Sequence, residues 1–224
     1  MRNNFEFYKY LDSHSQVLDK RYFSFKKIFE YLDSKKDPIT IVETGCTRQK
    51  NNWTGDGQST ILFDKYIESR CENSFVISMD LDIKAVNHSK SLVGNKTQIL
   101  HGDSVALLHN IRREFVDKEI LLNCLYLDSY DVDWDYWFPS AAHHLKELVA
   151  ISPMLQKETL VVVDDCGIRL HGFRGRHTKF DAIPSKLLKH VDIGGKGKLV
   201  ADYANAVGAK SLFADYQAGW IEFV

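Results

Sequence analysis

The chain has 224 residues, 44% hydrophobic and 26% charged, which suits one globular domain of ordinary density with at most a small appendage. Its 29 Lys+Arg against 30 Asp+Glu give a net charge of −1, so no global field draws it to nucleic acid or an anionic membrane, and neither is expected as a partner. Cys46, Cys71, Cys124 and Cys166 form no C-x-x-C pair and read as reduced thiols, Glu6, Lys9 and Asp12 interrupt any leader-like apolar run, and no stretch approaches the roughly 18 apolar residues of a membrane span; a cytoplasmic protein is expected.

In chain order, residues 1–37 read as an aromatic helical arm, in which Phe25, Ile28, Phe29 and Leu32 follow the i, i+3, i+4, i+7 spacing of an amphipathic helix. From residue 38 to 224 the texture changes to one α/β domain. "ITIVETG" (39–45) is β-branched, apolar and stopped by glycine; "QSTILFDKYIES" (58–69) reads as a helix. "FVISMDLD" (75–82), "TQILHGD" (97–103), "LLNCLYLDSYD" (121–131) and "TLVVVDD" (159–165) are further strands, with helices between them at 83–93, 104–115 and 140–155. A loop from Cys166, a short helix near 183–191 and two strand-like runs, "GKLVADY" (197–203) and "AGWIEFV" (218–224), complete the chain. Strict alternation of apolar strands with helices predicts a Rossmann-like doubly wound, mostly parallel seven-stranded sheet with an antiparallel edge strand and helices on both faces.

Ligands in such sheets bind at the carboxyl ends of the strands. Those ends carry Glu43 and Gly45, then Asp80 and Asp82, Gly102 and Asp103, Asp128 and Asp131, and finally Asp164 and Asp165. Gly45 allows a tight turn and close approach of a ligand, although the loop up to Gly55 and Gly57 is too stretched for G-x-G-x-x-G. Asp80 is placed to accept the two hydroxyls of a ribose, and Asp103 to receive the exocyclic amine of an adenine.

The ordered set "IVETG", "VISMDLD", "ILHGDS", "LYLDSYD" and "LVVVDD" resembles the class I S-adenosylmethionine-dependent methyltransferases from about Ile39 onward. The resemblance implies that Glu43, Thr44 and Gly45 lie near the methionine end of S-adenosylmethionine, Asp80 and Leu81 near its ribose, and Gly102, Asp103 and Ser104 near its adenine, with Asp128 adjoining. Asp128, Asp164 and Asp165 end neighbouring strands about 4.8 Å apart, so their carboxylates can converge. Three oxygen donors without soft ligands suit a hard divalent cation, Mg²⁺ above all. This arrangement, with the tail "GGKGKLVADY…YQAGW", looks like the metal-dependent O-methyltransferase branch of catechol and macrolide-sugar enzymes. It implies methylation of a hydroxyl on a small molecule, sugar or phenol-like, with the cation lowering the hydroxyl's pKa and a base taking its proton. Asp131 is the first choice for that base, ahead of Tyr130 and His143.

Other features carry two readings each. His143 and His144 sit about 100° apart on a helix, so at most one faces the site. Trp134, Tyr136, Trp137 and Phe138 wall an acceptor pocket or pack a loop over the core; Arg169, His171, Arg174, Arg176 and His177 grip an anionic acceptor or lie in solvent. "IGGKGK" (193–198) lacks the P-loop pattern. The competing functions are a metal-dependent glycosyltransferase using Asp80 and Asp82 as a D-x-D pair, and a non-catalytic cofactor-binding protein. A homo-oligomer built through the aromatic arm is a further expectation.

Overall fold

The computed structural model describes residues 4–170 and 191–224. The expected helix at 183–191, apart from Val191, and the basic side chains from Arg169 to His177 lie outside what it describes.

Nine α-helices and nine strands are assigned among the described residues, besides short 3₁₀ turns. The strands are β1 (Thr40–Thr44), β2 (Phe75–Asp80), β3 (Thr97–His101), β4 (Cys124–Leu127), β5 (Leu160–Val163), β6 (Ile168–Leu170), β7 (Val191–Ile193), β8 (Lys210–Ala214) and β9 (Ala218–Ile221). The helices are α1 (Phe5–Ser13), α2 (Ser15–Leu18), α3 (Tyr22–Asp33), α4 (Trp53–Asp56), α5 (Ser59–Glu68), α6 (Ile83–Lys90), α7 (Ser104–Asp117), α8 (Phe138–Ile151) and α9 (Lys198–Val207). Seven strands form one sheet in the order β3-β2-β1-β4-β5-β9-β8. The first five are parallel, and β9 runs antiparallel between β5 and β8. The Rossmann-like doubly wound architecture is therefore as the alternation predicts, with the reversed strand one position in from the edge. β6 and β7 pair as a separate small ribbon.

Period-two alternation explains how each strand serves two cores. Val161 and Val163 join Leu125, Leu127 and Val42 under α7, α8 and α9, while Leu160 and Val162 join Tyr126 and Ile41 on the opposite face. That second face is covered by α5 and by the N-terminal helices. Phe25, Ile28, Phe29 and Leu32 of α3 are fully buried there with Phe7 and Leu11 of α1. Phe5 and Phe23 of the same arm are exposed, while each of the buried side chains contributes about 1.5–3 kcal/mol.

One element differs in type. Residues 198–207, whose "KLVADY" reads as a strand, form helix α9. Val200, Ala201 and Ala204 are its buried residues, a helical i, i+1, i+4 stripe built largely from alanine, and Gly208 ends it in the left-handed region at φ 78°. The outer strand of the terminal pair is β8, which begins at Lys210, just beyond the end of α9.

Candidate active site

Between β1 and β4 the strand order reverses direction, which makes the crevice at their carboxyl ends the topological switch point. Gly45 turns the chain there at φ 81°, its N–H donating to Met79 O at 2.7 Å. A Cβ at this position would stand 2.5 Å from Asp128 O, so only glycine lets the end of β1 lie against the end of β4. A pocket of about 160 Å³ opens above it. Gly45 and Cys46 come to it from β1, Asp80 and Asp82 from β2, and Asp128 and Ser129 from β4; Arg48, Asp56 and Ser59 close it from the first loop and α5. Four carboxylates thus meet one guanidinium.

Local hydrogen bonds aim these acids. Asp80 accepts the N–H groups of Cys46 at 3.1 Å and of Asp82 at 2.8 Å, which fixes its carboxylate between β1 and β2. Asp82 caps α6 through Lys84 N at 2.8 Å, and Asp103 caps α7 through Ala106 N at 2.9 Å. Asp80 and Asp82 both face backbone amides, which weakens the D-x-D reading. Leu81 is 71% exposed beside the pocket, and Gly102 follows β3 with its N–H on Asp80 O.

The stretched first loop is ordered by a residue that belongs to no glycine motif. Asp56, between Gly55 and Gly57, accepts the N–H groups of Arg48 at 2.8 Å and Gln49 at 3.3 Å, Arg48 Nε at 3.1 Å and Gln58 Nε2 at 3.3 Å. Arg48 then reaches Asp131 through Nη1 at 2.9 Å. Asp131, the expected base, is 72% exposed on the rim and already holds this cation.

Beneath Gly45, Glu43 is fully buried and accepts from Thr60 Oγ1 at 2.7 Å and Ser78 Oγ at 2.5 Å. Burial pushes its carboxyl up to about 7, against the pull of those hydroxyls. Its Oε1 is left without a partner, as is Gln58 Oε1.

Asp128, Asp164 and Asp165 do converge, and this is where the expected metal centre takes another form. Lys196 Nζ lies 2.5 Å from Asp128 Oδ1 and 3.0 Å from Asp165 Oδ2. Arg21, from the N-terminal arm, places Nε 2.9 Å from Asp164 Oδ2 and Nη2 3.3 Å from Asp165 Oδ1. Tyr216 also donates to Asp165. Burial disfavours the Lys196 ammonium, yet the three carboxylates outweigh it and hold its pKa above the usual lysine range. Likewise burial would raise Asp165, but Lys196, Tyr216 and Arg21 draw it below the usual carboxylate range. Every carboxylate of the trio faces an ammonium or guanidinium, so the donor set does not fit Mg²⁺. Among the described residues no group of three His, Cys, Asp or Glu is arranged to hold a metal.

Behind Ser129 a second polar cluster forms. Glu147 of α8, fully buried, accepts from Ser129 Oγ at 2.6 Å and Thr44 Oγ1 at 3.1 Å, and its Oε1 lies 3.4 Å from His143 Nε2. The same His143 nitrogen is 3.1 Å from Ser104 Oγ, and the Tyr130 ring tilts over the imidazole at 5.5 Å. Hydrogen bonding to Glu147 raises the pKa of His143 against the effect of burial. His144 points into the core with Nδ1 2.6 Å from Ser140 O, and burial lowers its pKa to about 4. The two imidazoles point apart, as neighbours about 100° apart on a helix must: His143 toward Ser104 and Glu147, His144 into the core. Glu147 itself gives no motif; only its i+4 spacing from His143 marks it.

Trp134, Tyr136 and Phe138 are each more than half exposed along this edge. No described helix is long and apolar enough to cross a membrane. Neither the family models nor the curated proteins compared with this sequence gave a match. Similar solved structures include one described as an rRNA methylase from Clostridium thermocellum, at 12% identity over 89% of this chain and 97% of that chain with a TM-score of 0.48. Another is described as an O-methyltransferase from Klebsiella pneumoniae, at 12% identity over 82% and 73% of the two chains with a TM-score of 0.46. A third, described as a short-chain dehydrogenase/reductase from Burkholderia xenovorans, matches at 15% identity over 52% and 51% with a TM-score of 0.39, so the chain spans about half the length of that protein.

Proposed function

We propose that the chain is an S-adenosylmethionine-dependent methyltransferase acting on a hydroxyl of a small molecule. The observation that carries this reading is the chemistry of the switch-point pocket: four carboxylates and one guanidinium around a glycine floor. A dinucleotide or a sugar diphosphate brings phosphates, which such walls repel. S-adenosylmethionine brings an ammonium, a sulfonium, two ribose hydroxyls and an amine that acidic acceptors suit, against a single carboxylate. Glu43 Oε1 and Gln58 Oε1, buried without partners around the same loop, add acceptor capacity.

In this reading Asp80 takes the ribose hydroxyls and Asp103 the adenine amine, with Leu81, Gly102 and Ser104 flanking them. Thr44, Gly45 and Asp128 floor the methionine end. When bound, the cofactor supplies an electrophilic methyl group. His143 is the base of choice over Asp131 and Tyr130: it is the histidine of the edge, backed by a buried carboxylate that favours its protonated form. As neutral imidazole it takes the proton of the acceptor hydroxyl, and Glu147 steadies the imidazolium that results.

Isothermal titration with S-adenosylhomocysteine tests the cofactor assignment. Binding is expected, and Asp80→Asn is expected to weaken it by about tenfold or more, the worth of a hydrogen bond to a charged acceptor. Absence of heat with both the cofactor and its demethylated product would end the proposal. Turnover, once an acceptor is found, is expected to fall as pH drops through the raised pKa of His143, where the base is lost to protonation. His143→Gln is expected to lower kcat by roughly 100-fold and abolish that acid limb; a variant retaining the limb would assign the base elsewhere.

A further inference from the structure

The turn that delivers Lys196 is built for that purpose. Gly195, Lys196 and Gly197 form a single 3₁₀ turn between β7 and α9. Gly195 lies at φ 57°, and a Cβ on it would overlap Asp165 O; a Cβ on Gly197 would overlap Cys166 Sγ. Both glycines let the turn press flat against the end of β5, where Lys196 N donates to Asp165 O at 3.2 Å and Gly194 N to Gly167 O at 2.5 Å. From there the lysine side chain, 1% exposed, runs inward to Asp128 and Asp165. The run "GGKGK" is thus neither a phosphate cradle nor a loose linker.

We infer that Lys196 is a resident cation standing where three converging carboxylates would otherwise require a divalent ion, so that this edge is neutralised by the chain itself. Arg21 completes the arrangement at Asp164. The consequence is specific: the native protein takes up no divalent cation at this trio, and the trio becomes a divalent-ion site when the ammonium is removed. The inference does not depend on the methyltransferase reading: Asp128 also lines the pocket, but divalent-ion uptake at the trio is read without any cofactor.

Mn²⁺ titration followed by electron paramagnetic resonance tests it, together with melting in EDTA and in millimolar Mg²⁺. The native chain is expected to bind no Mn²⁺ stoichiometrically and to melt at the same temperature in both media. Lys196→Ala is expected to melt lower in EDTA, to bind one Mn²⁺, and to regain several degrees in Mg²⁺, as an ion far above its Kd must produce. Adding Asp165→Asn to Lys196→Ala is expected to erase that response. Stoichiometric Mn²⁺ uptake by the native chain, lost on Asp165→Asn, overturns the inference. So does a folded Lys196→Ala chain that ignores divalent ions. Should Lys196→Ala not fold, the native titration decides alone: no uptake supports the resident cation, and uptake refutes it.

Discussion

Arg21→Ala is expected to cost about 3–5 kcal/mol of folding stability, the loss that follows when one partner of a buried ion pair is removed. Arg21 is 3% exposed and Asp164 fully buried, with 2.9 Å between Nε and Oδ2. The same guanidinium reaches Asp165 and donates to Thr54 O at 3.2 Å. Without it the Asp164 carboxylate keeps its burial and loses its hydrogen-bonded cation, and helix α4 loses an anchor at Thr54. Arg21→Met with Asp164→Leu, which removes both charges, is expected to recover most of the loss, because an apolar pair needs no hydration. Guanidinium unfolding curves of the single and double variants check this. A single variant within about 1 kcal/mol of the native chain would show that Asp164 finds water or another cation, contrary to its burial.

Gly45→Ala is expected to cost about 3 kcal/mol or more, combining the strain of a left-handed backbone with a clash that no rotamer relieves. The obstructing atom is the Asp128 carbonyl, 2.5 Å from the new Cβ, and it belongs to the next strand. Relief requires parting β1 from β4 at the pocket floor, so S-adenosylhomocysteine binding is expected to fail along with stability. Chemical denaturation measures the first effect and calorimetric titration the second. A variant of native stability that still binds would remove the close approach of the two strand ends from the account of the pocket.

How much of this was legible beforehand depends on the range of each interaction. The sheet was, because apolar runs such as "LVVV" bury both alternating faces whatever surrounds them. The acids at the strand ends were also legible, since a parallel sheet brings all its carboxyl ends to one edge. What neutralises them was not. Arg21 lies 143 residues from Asp164, and Lys196 lies 68 from Asp128. No local pattern marks either cation as a partner, and convergent oxygens alone suit a divalent ion equally well. Asp56 escaped for a similar reason: its role is to gather amides across its own loop, which the spacing of glycines does not disclose. Helix α9 was misread because one valine within "KLVADY" carries strand character, while its buried stripe depends on alanines that are neutral to the eye.

The junction of Arg21, Asp164, Asp165 and Lys196 draws on positions from the first tenth and the last third of the chain. Such sequence-distant pairings raise contact order, and a high contact order slows folding, since the polymer must close its widest loops before these charges meet. A nascent polypeptide can therefore complete its central strands while this corner is still open. Competence to bind should emerge last, and a ligand-responsive signal during refolding should trail the recovery of helical circular dichroism.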